Sequence, residues 1–291
     1  MKKLISTLVA VAAGLALALP AFAGDFKSER IVVTTTGEGA DVVLIPGLSS
    51  SAAVWDTTVH ALPGFRYHVV QLKGFAGVPA EANASGPVVA PVAEEVARYI
   101  VSENLSRPVV VGHSMGGSIG LMVAARHPGL MSKLMVVDMV PFMGATFTPD
   151  ATPQSVTPIA TQIRDGIINA SLADRQAMAV QTIAGMIKTD AYRPAAMKAA
   201  VDSDPATSGE AMFELITTDL RPELAKIQVP LRVLWALPPG APVTAEQMAA
   251  FYQLSYASAP NASMRQIPDS YHFIMHDQPV LFQAELSAFV Q

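Results

Sequence analysis

The chain has 291 residues, 51% hydrophobic and 15% charged, with a formal net charge of −5 and no cysteine. That length and apolar content suit one large core, or a core with a small appendage, and exclude a disordered chain. The acidic balance, with no basic stripe, excludes nucleic-acid binding, and the lack of cysteine excludes disulfides, thiol nucleophiles and thiolate metal ligands.

Residues 1–23 read as a secretory signal peptide. Lys2 and Lys3 form a basic start, Leu4 to Leu19 an apolar stretch, Pro20 a helix break, and Ala21-Phe22-Ala23 a small-x-small cleavage pattern before Gly24. The apolar stretch is short for a bilayer span of about 20 residues, which sets a cleaved leader above the alternative, a retained membrane anchor. Cleavage removes two lysines and no acid, taking the net charge from −5 to −7. The expected destination is export, to the periplasm or the medium, and no later segment is apolar enough to form a stable membrane span.

Residues 30–36 are β-branched and weakly alternating, and predict a strand paired with the one that follows Gly37-Glu38-Gly39. Residues 41–45 are a short apolar run closed by Pro46-Gly47, the pattern of a buried central strand. A serine-rich loop leads to a helix over 53–61 carrying Trp55, and a strand follows over 67–71. In the next loop, 74–79, Phe75 either lines a pocket or packs in the core. Residues 88–101 form an amphipathic helix with Val92, Val96, Tyr99 and Ile100 on one face.

Pro108 then opens the stretch around which the chain is organised, Val109-Val110-Val111-Gly112-His113-Ser114-Met115-Gly116-Gly117. An apolar β-branched run enters a Gly-x-Ser-x-Gly turn, and a helical pattern over 118–126 leaves it. Strand, tight turn and helix are what a nucleophile elbow requires. The turn forces the serine into a strained conformation with room only for small neighbours. Ser114 then stands beside the free N–H groups of a helix N-terminus.

A buried strand over 134–137 stops at Asp138, and strands and helices have so far alternated as parallel βαβ units do. That rhythm breaks over 144–222. A Pro/Thr-rich linker, 146–158, precedes helical patterns over 159–168, 172–187, 191–201 and 209–219, with Met178, Met186, Met197 and Met212 recurring in them. A methionine stripe is packing in the plain reading, or the flexible wall of an apolar pocket. Strand pattern returns over 229–236. A helix over 244–257 starts with a Thr244/Gln247 capping box, the last strand covers 262–267, and a final helix covers 279–290.

Gly112-His113-Ser114-Met115-Gly116-Gly117 after a valine run resembles the α/β-hydrolase superfamily, in particular its single-domain esterases and lipases, and the resemblance spans residues 31–290. It implies an α/β fold: a mostly parallel central sheet flanked by helices, with an all-helical cap inserted after the sixth strand of the family's count. The domain division that follows is a signal peptide (1–23), a core of 24–143 and 223–291, and a cap or lid of 144–222. It also implies the chain order serine, acid, histidine. Pro268-Asp269-Ser270-Tyr271-His272-Phe273 resembles the family's Pro-Asp-x-Gly-His-Phe segment, with Tyr271 in place of glycine, and makes His272 the base; His276 is the alternative. Pro46-Gly47-Leu48 stands where the family often has His-Gly-x, so the backbone N–H groups of Leu48 and Met115 match the oxyanion hole. Residues 71–77 resemble the family's Asp-x-x-Gly-x-Gly-x-Ser loop only loosely and lack its acid.

The triad acid departs from the pattern. The family's usual site after the seventh strand falls at 234–242, which holds no carboxylate. Some haloalkane dehalogenases take the acid from the end of the sixth strand, and Asp138 stands there, where strand ends converge on the site. Asp269 and Glu246 are alternatives, as are a serine–histidine dyad and a purely local role for Asp138. The resemblance implies acyl-enzyme hydrolysis of small to medium apolar acyl or aryl esters, with a small-molecule ester as partner and no cofactor or metal. Serine at the elbow, rather than aspartate, argues against dehalogenase or epoxide-hydrolase chemistry. Lactonase, thioesterase or peptidase activity with the same residues, and a non-catalytic binding protein in this fold, are the alternatives; oligomeric state is not legible.

Overall fold

Runs that are apolar in every position must be covered on both faces, and the order of the sheet follows from them. The computed structural model describes residues 26–148 and 150–291; the leader expected over 1–23 lies outside them. The strands are β1 (Ile31–Thr36), β2 (Ala40–Ile45), β3 (Phe65–Leu72), β4 (Val109–His113), β5 (Lys133–Val137), β6 (Leu231–Trp235) and β7 (Ala262–Gln266). They form one sheet in the order β1-β3-β2-β4-β5-β6-β7, parallel throughout except for β1.

The helices are α1 (Asp56–Ala61), α2 (Val89–Ser102), α3 (Met115–Arg126), α4 (Pro153–Asn169), α5 (Leu172–Met186), α6 (Arg193–Asp202), α7 (Pro205–Thr217), α8 (Ala245–Ser255), α9 (Ile274–Asp277) and α10 (Pro279–Val290). Alternation along the central strands divides the core in two. Val43, Ile45, Val110, Leu134, Val136 and Val233 pack with α2, α3 and α8. Val42, Leu44, Val111, Met135, Val137 and Leu234 pack on the opposite face with Trp55, α9 and α10. Phe75 is fully buried in the first of these cores, the packing alternative for that residue. Among the described residues no helix is long and apolar enough to cross a membrane.

Three local expectations are corrected. β1 does not pair with β2; it lies antiparallel to β3, from Ile31 opposite Leu72 to Thr36 opposite Tyr67. β2 is buried from Val42 to Ile45 and takes β3 on one side and β4 on the other, whereas β1 is exposed at most positions after Ile31 and suits the sheet edge. The stretch 146–158 is not linker to its end, because α4 already starts at Pro153. Thr152 Oγ1 accepts the Ser155 N–H at 3.1 Å and Ser155 Oγ accepts the Thr152 N–H at 2.9 Å, a capping box closed by serine, with proline at the first helical position. Pro158 is carried inside the helix. α7 likewise starts at Pro205, ahead of its expected start at 209, with the Asp204 carboxylate accepting the Thr207 N–H at 2.8 Å.

Helices α4 to α7 are inserted between β5 and β6, with α4 packed on α7 and α5 on α6. Val156 and Ala160 of α4 and Ile216 of α7 form a small apolar cluster with Phe142.

Phe282 in α10 is fully buried with its ring 6.0 Å from Trp55. Phe282→Ala should cost about 3–5 kcal/mol through lost burial and the cavity left behind. A lower urea midpoint with an unchanged slope is the expected reading; an unchanged midpoint would show that this face of the core is loosely packed.

Candidate active site

The turn after β4 places Ser114 at φ 53°, ψ −122°, a conformation that costs a non-glycine residue about 1–3 kcal/mol. Its N–H still donates to Val137 O at 2.9 Å, so the sheet ladder holds the strained residue. The flanking glycines are a steric requirement: a Cβ on Gly112 would overlap the Gly116 backbone, and one on Gly116 would run into the carbonyls of Ile45 and Pro46. The same closeness brings the 46–48 loop against the start of α3. The N–H groups of Leu48 and Met115 have no hydrogen-bond acceptor among the described residues. Ser49 in that loop meets Ser208 of α7, hydroxyl to hydroxyl, at 2.9 Å.

Asp138 follows β5 in a second left-handed turn, φ 54°, held by its N–H to Leu234 O at 2.7 Å. One carboxylate oxygen is 2.6 Å from His272 Nδ1. The other accepts the Ala236 N–H at 3.0 Å and the Tyr252 hydroxyl at 3.1 Å. Since a carboxylate only accepts, Nδ1 carries the proton and Nε2 is left as the basic nitrogen. Ala236 lies in the stretch where the family's usual acid is missing, and its backbone supplies a donor to Asp138 instead. Tyr252 was not legible in the sequence, where nothing separates it from its neighbour Phe251. Burial, and then the Asp138 charge, push its hydroxyl well above the usual range, so it stays a donor. Its ring stacks on Trp235 at 5.4 Å.

His272 is held from a second side by His113, whose Nε2 donates to the His272 carbonyl at 3.1 Å. Burial, followed by the neighbouring His272, holds His113 well below the usual histidine range, so it is neutral. The alternatives to these residues are placed elsewhere. Asp269 pairs with Lys188 at the surface, and Glu246 is exposed in the first turn of α8. His276 stacks on Tyr192 at 4.1 Å and on Phe273 at 5.8 Å, with no hydrogen bond to Asp138.

Ser114, Asp138 and His272 line one cavity of about 850 Å³, with walls from the strand-end loops and from helices α4 to α8. No hydrogen bond joins Ser114 to His272 in this geometry, and catalytic hydrogen bonds often close only around substrate. The wall is mostly apolar. Met178, Met186 and Met212 contribute to it, while Met197 packs against the core on the α10 face.

A model of the alpha/beta hydrolase family matches residues 42–285. A pimeloyl-[acyl-carrier protein] methyl ester esterase of Vibrio atlanticus (strain LGP32) is 29% identical over 217 residues, covering 72% of this chain and 80% of that protein. Among solved structures, an esterase from Exiguobacterium antarcticum superposes with a TM-score of 0.72 at 20% identity, covering 89% of this chain and 95% of that one. An enol-lactonase from Burkholderia xenovorans LB400 superposes with a TM-score of 0.71 at 19% identity, covering 89% and 96%.

Burial pushes His276 down to about 4. A histidine with a lowered folded pKa binds its proton more weakly in the folded state than in the unfolded chain, where the value is about 6.5. Its contribution to stability is therefore complete above pH 6.5 and is lost as the pH falls through 4. His276→Phe, which keeps a flat ring between Tyr192 and Phe273, should flatten the fall of the urea midpoint between pH 7 and 4.5. Parallel wild-type and variant slopes would mean that the ring is solvated.

Proposed function

This chain belongs to the alpha/beta hydrolase family, and on that premise we propose that it is an exported serine hydrolase of carboxylic esters with Ser114, His272 and Asp138 as its triad. The observation that carries the reading is the convergence on one apolar cavity of a strained elbow serine, an Asp138–His272 pair at 2.6 Å and two backbone N–H groups without acceptors among the described residues. The relative from Vibrio atlanticus, named for cleaving a methyl ester, supports ester chemistry. The basic, apolar and small-x-small pattern of residues 1–23 supports export.

In the proposed reaction His272 Nε2 takes the Ser114 proton as Oγ bonds to the ester carbonyl carbon, and the carbonyl π pair moves onto oxygen. The resulting oxyanion is held by the N–H groups of Leu48 and Met115, each such donor being worth about 10²–10³ in turnover. As the tetrahedral species collapses, the alcohol leaves with the proton from Nε2. Water then attacks the acyl-enzyme, giving its proton to Nε2, and the acid departs as Ser114 regains one. Asp138 stays ionised throughout and stabilises the imidazolium, while Ala236 and Tyr252 fix the direction of its lone pairs. Residues 144–222 act in this proposal as a cap that excludes water from the acyl-enzyme, and the methionine-bearing wall suits small to medium apolar acyl or aryl groups.

Hydrolysis of p-nitrophenyl esters of rising acyl length by the chain from Gly24 onward tests the reading. Ser114→Ala should abolish turnover, and Asp138→Asn should lower kcat about 10³–10⁴-fold by leaving His272 in the wrong tautomer. Wild-type rates no higher than those of Ser114→Ala on every ester would sink the esterase reading, and a fully active Asp138→Asn would remove Asp138 from the triad.

Tyr252→Phe should retain the fold and lower kcat roughly tenfold, the worth of about one hydrogen bond to a charged group, with little change in KM. An unchanged kcat would show that Tyr252 only fills space beside Asp138.

A further inference from the structure

The residues of the cavity wall that are exposed to solvent mark where the cavity opens. Among the described residues they are Thr146, between β5 and α4, with Ile159, Gln162 and Gly166 of α4 and Met178 and Thr182 of α5. The rest of the wall is buried or half-buried, Ser114 and His272 included. The mouth therefore lies between two helices that each pack on a different neighbour, α4 on α7 and α5 on α6. Its rim keeps Ile159 and Met178 in contact with water although both are large and apolar, which suits the passage of apolar groups.

Gly166 is the rim position without a side chain. Gln162, Ile163, Gly166, Ile167 and Ala170 all line the cavity, and at about 3.6 residues per turn they share one face of α4. Gly166 falls inside that arc, between Gln162 and Ala170, so a side chain there would point into the mouth. No local rule demands glycine at this position. Its φ is not positive, and a Cβ built on it meets nothing within 4 Å. Gly209 of α7 is the contrast, because a Cβ there would overlap Ile168 of α4. Glycine inside a helix is less favourable than alanine, and what its bare backbone provides at 166 is the width of the opening. We propose that Gly166 is a specificity-determining residue: esters reach Ser114 through this mouth, and the lack of a side chain at 166 sets the largest ester that passes. This assignment rests on Ser114 being the esterase nucleophile. Gly185 of α5 is as open as Gly166 but stands off the cavity wall, so it separates the placement of a glycine from its openness.

The test measures kcat/KM on p-nitrophenyl acetate and on the longest straight-chain p-nitrophenyl ester that wild type cleaves. The ratio of the two within one protein cancels differences in active fraction between preparations. Gly166→Phe should lower the long-to-short ratio about tenfold or more by narrowing the mouth. Gly166→Ala should leave the ratio near wild type, and Gly185→Phe should leave it unchanged. Alanine and phenylalanine both favour a helix over glycine, so each variant should keep or raise the urea midpoint. A ratio unmoved by Gly166→Phe, or moved equally by Gly185→Phe, would overturn the gate while leaving the esterase intact. Cleavage of acetate alone by wild type would do the same, by placing the size limit deeper than the mouth. Hydrolysis of no ester by wild type would overturn both.

Discussion

Three strands of this sheet end by giving one last ladder hydrogen bond to a neighbour, and the site depends on those bonds. The N–H of Ser114 goes to Val137, that of Asp138 to Leu234 and that of Ile267 to Trp235, at 2.9, 2.7 and 2.8 Å. The first two belong to residues in left-handed turns, which the local chain alone would not adopt. The parallel register of β4, β5 and β6 therefore supplies the force that keeps Ser114 and Asp138 in place. Strain at two adjacent strand ends is sustained by a buried sheet whose faces are both covered.

The surroundings of Asp138 show what a carboxylate at this strand end requires. A carboxylate buried beside a histidine needs donors on its remaining lone pairs, or its charge becomes a liability. Asp138 obtains them from the Ala236 backbone, in the segment that holds no carboxylate, and from Tyr252 in the helix that follows it. The stack of Tyr252 on Trp235 couples that donor to the end of β6. The pocket around Asp138 is thus built from three strand ends and one helix, and no short segment contains it.

The inserted helices and the histidine loop are joined by a second set of polar contacts. The Asp277 carboxylate accepts the N–H groups of Lys188, Thr189 and Tyr271 at 2.9 to 3.0 Å, and the Phe273 N–H donates to Met186 O at 3.1 Å. With the His276–Tyr192 stack, these hold the end of α5 against the loop that carries His272. A shift of α5 would therefore act on His272 as well as on the cavity wall, and the shape of the cavity and the position of the imidazole are set together.

Much of this was legible in the sequence because it is local. The valine run, the Gly-x-Ser-x-Gly turn and the helix behind it specify the elbow by steric rules that act within a few residues, and the fully apolar runs specify buried parallel strands. Ser114 and His272 could be singled out by order and by resemblance, and Asp138 by the empty segment at 234–242. What the sequence by itself determined was thus the fold class, the elbow motif and a short set of candidate site residues. Pairing of β1 with β3, the donors from Tyr252 and Ala236, the tautomer imposed on His272 and the support from His113 were decided by tertiary structure. Each is a contact between segments far apart in the chain, and a side chain's hydrogen-bond partners across such distances are fixed only when the core packs and excludes water.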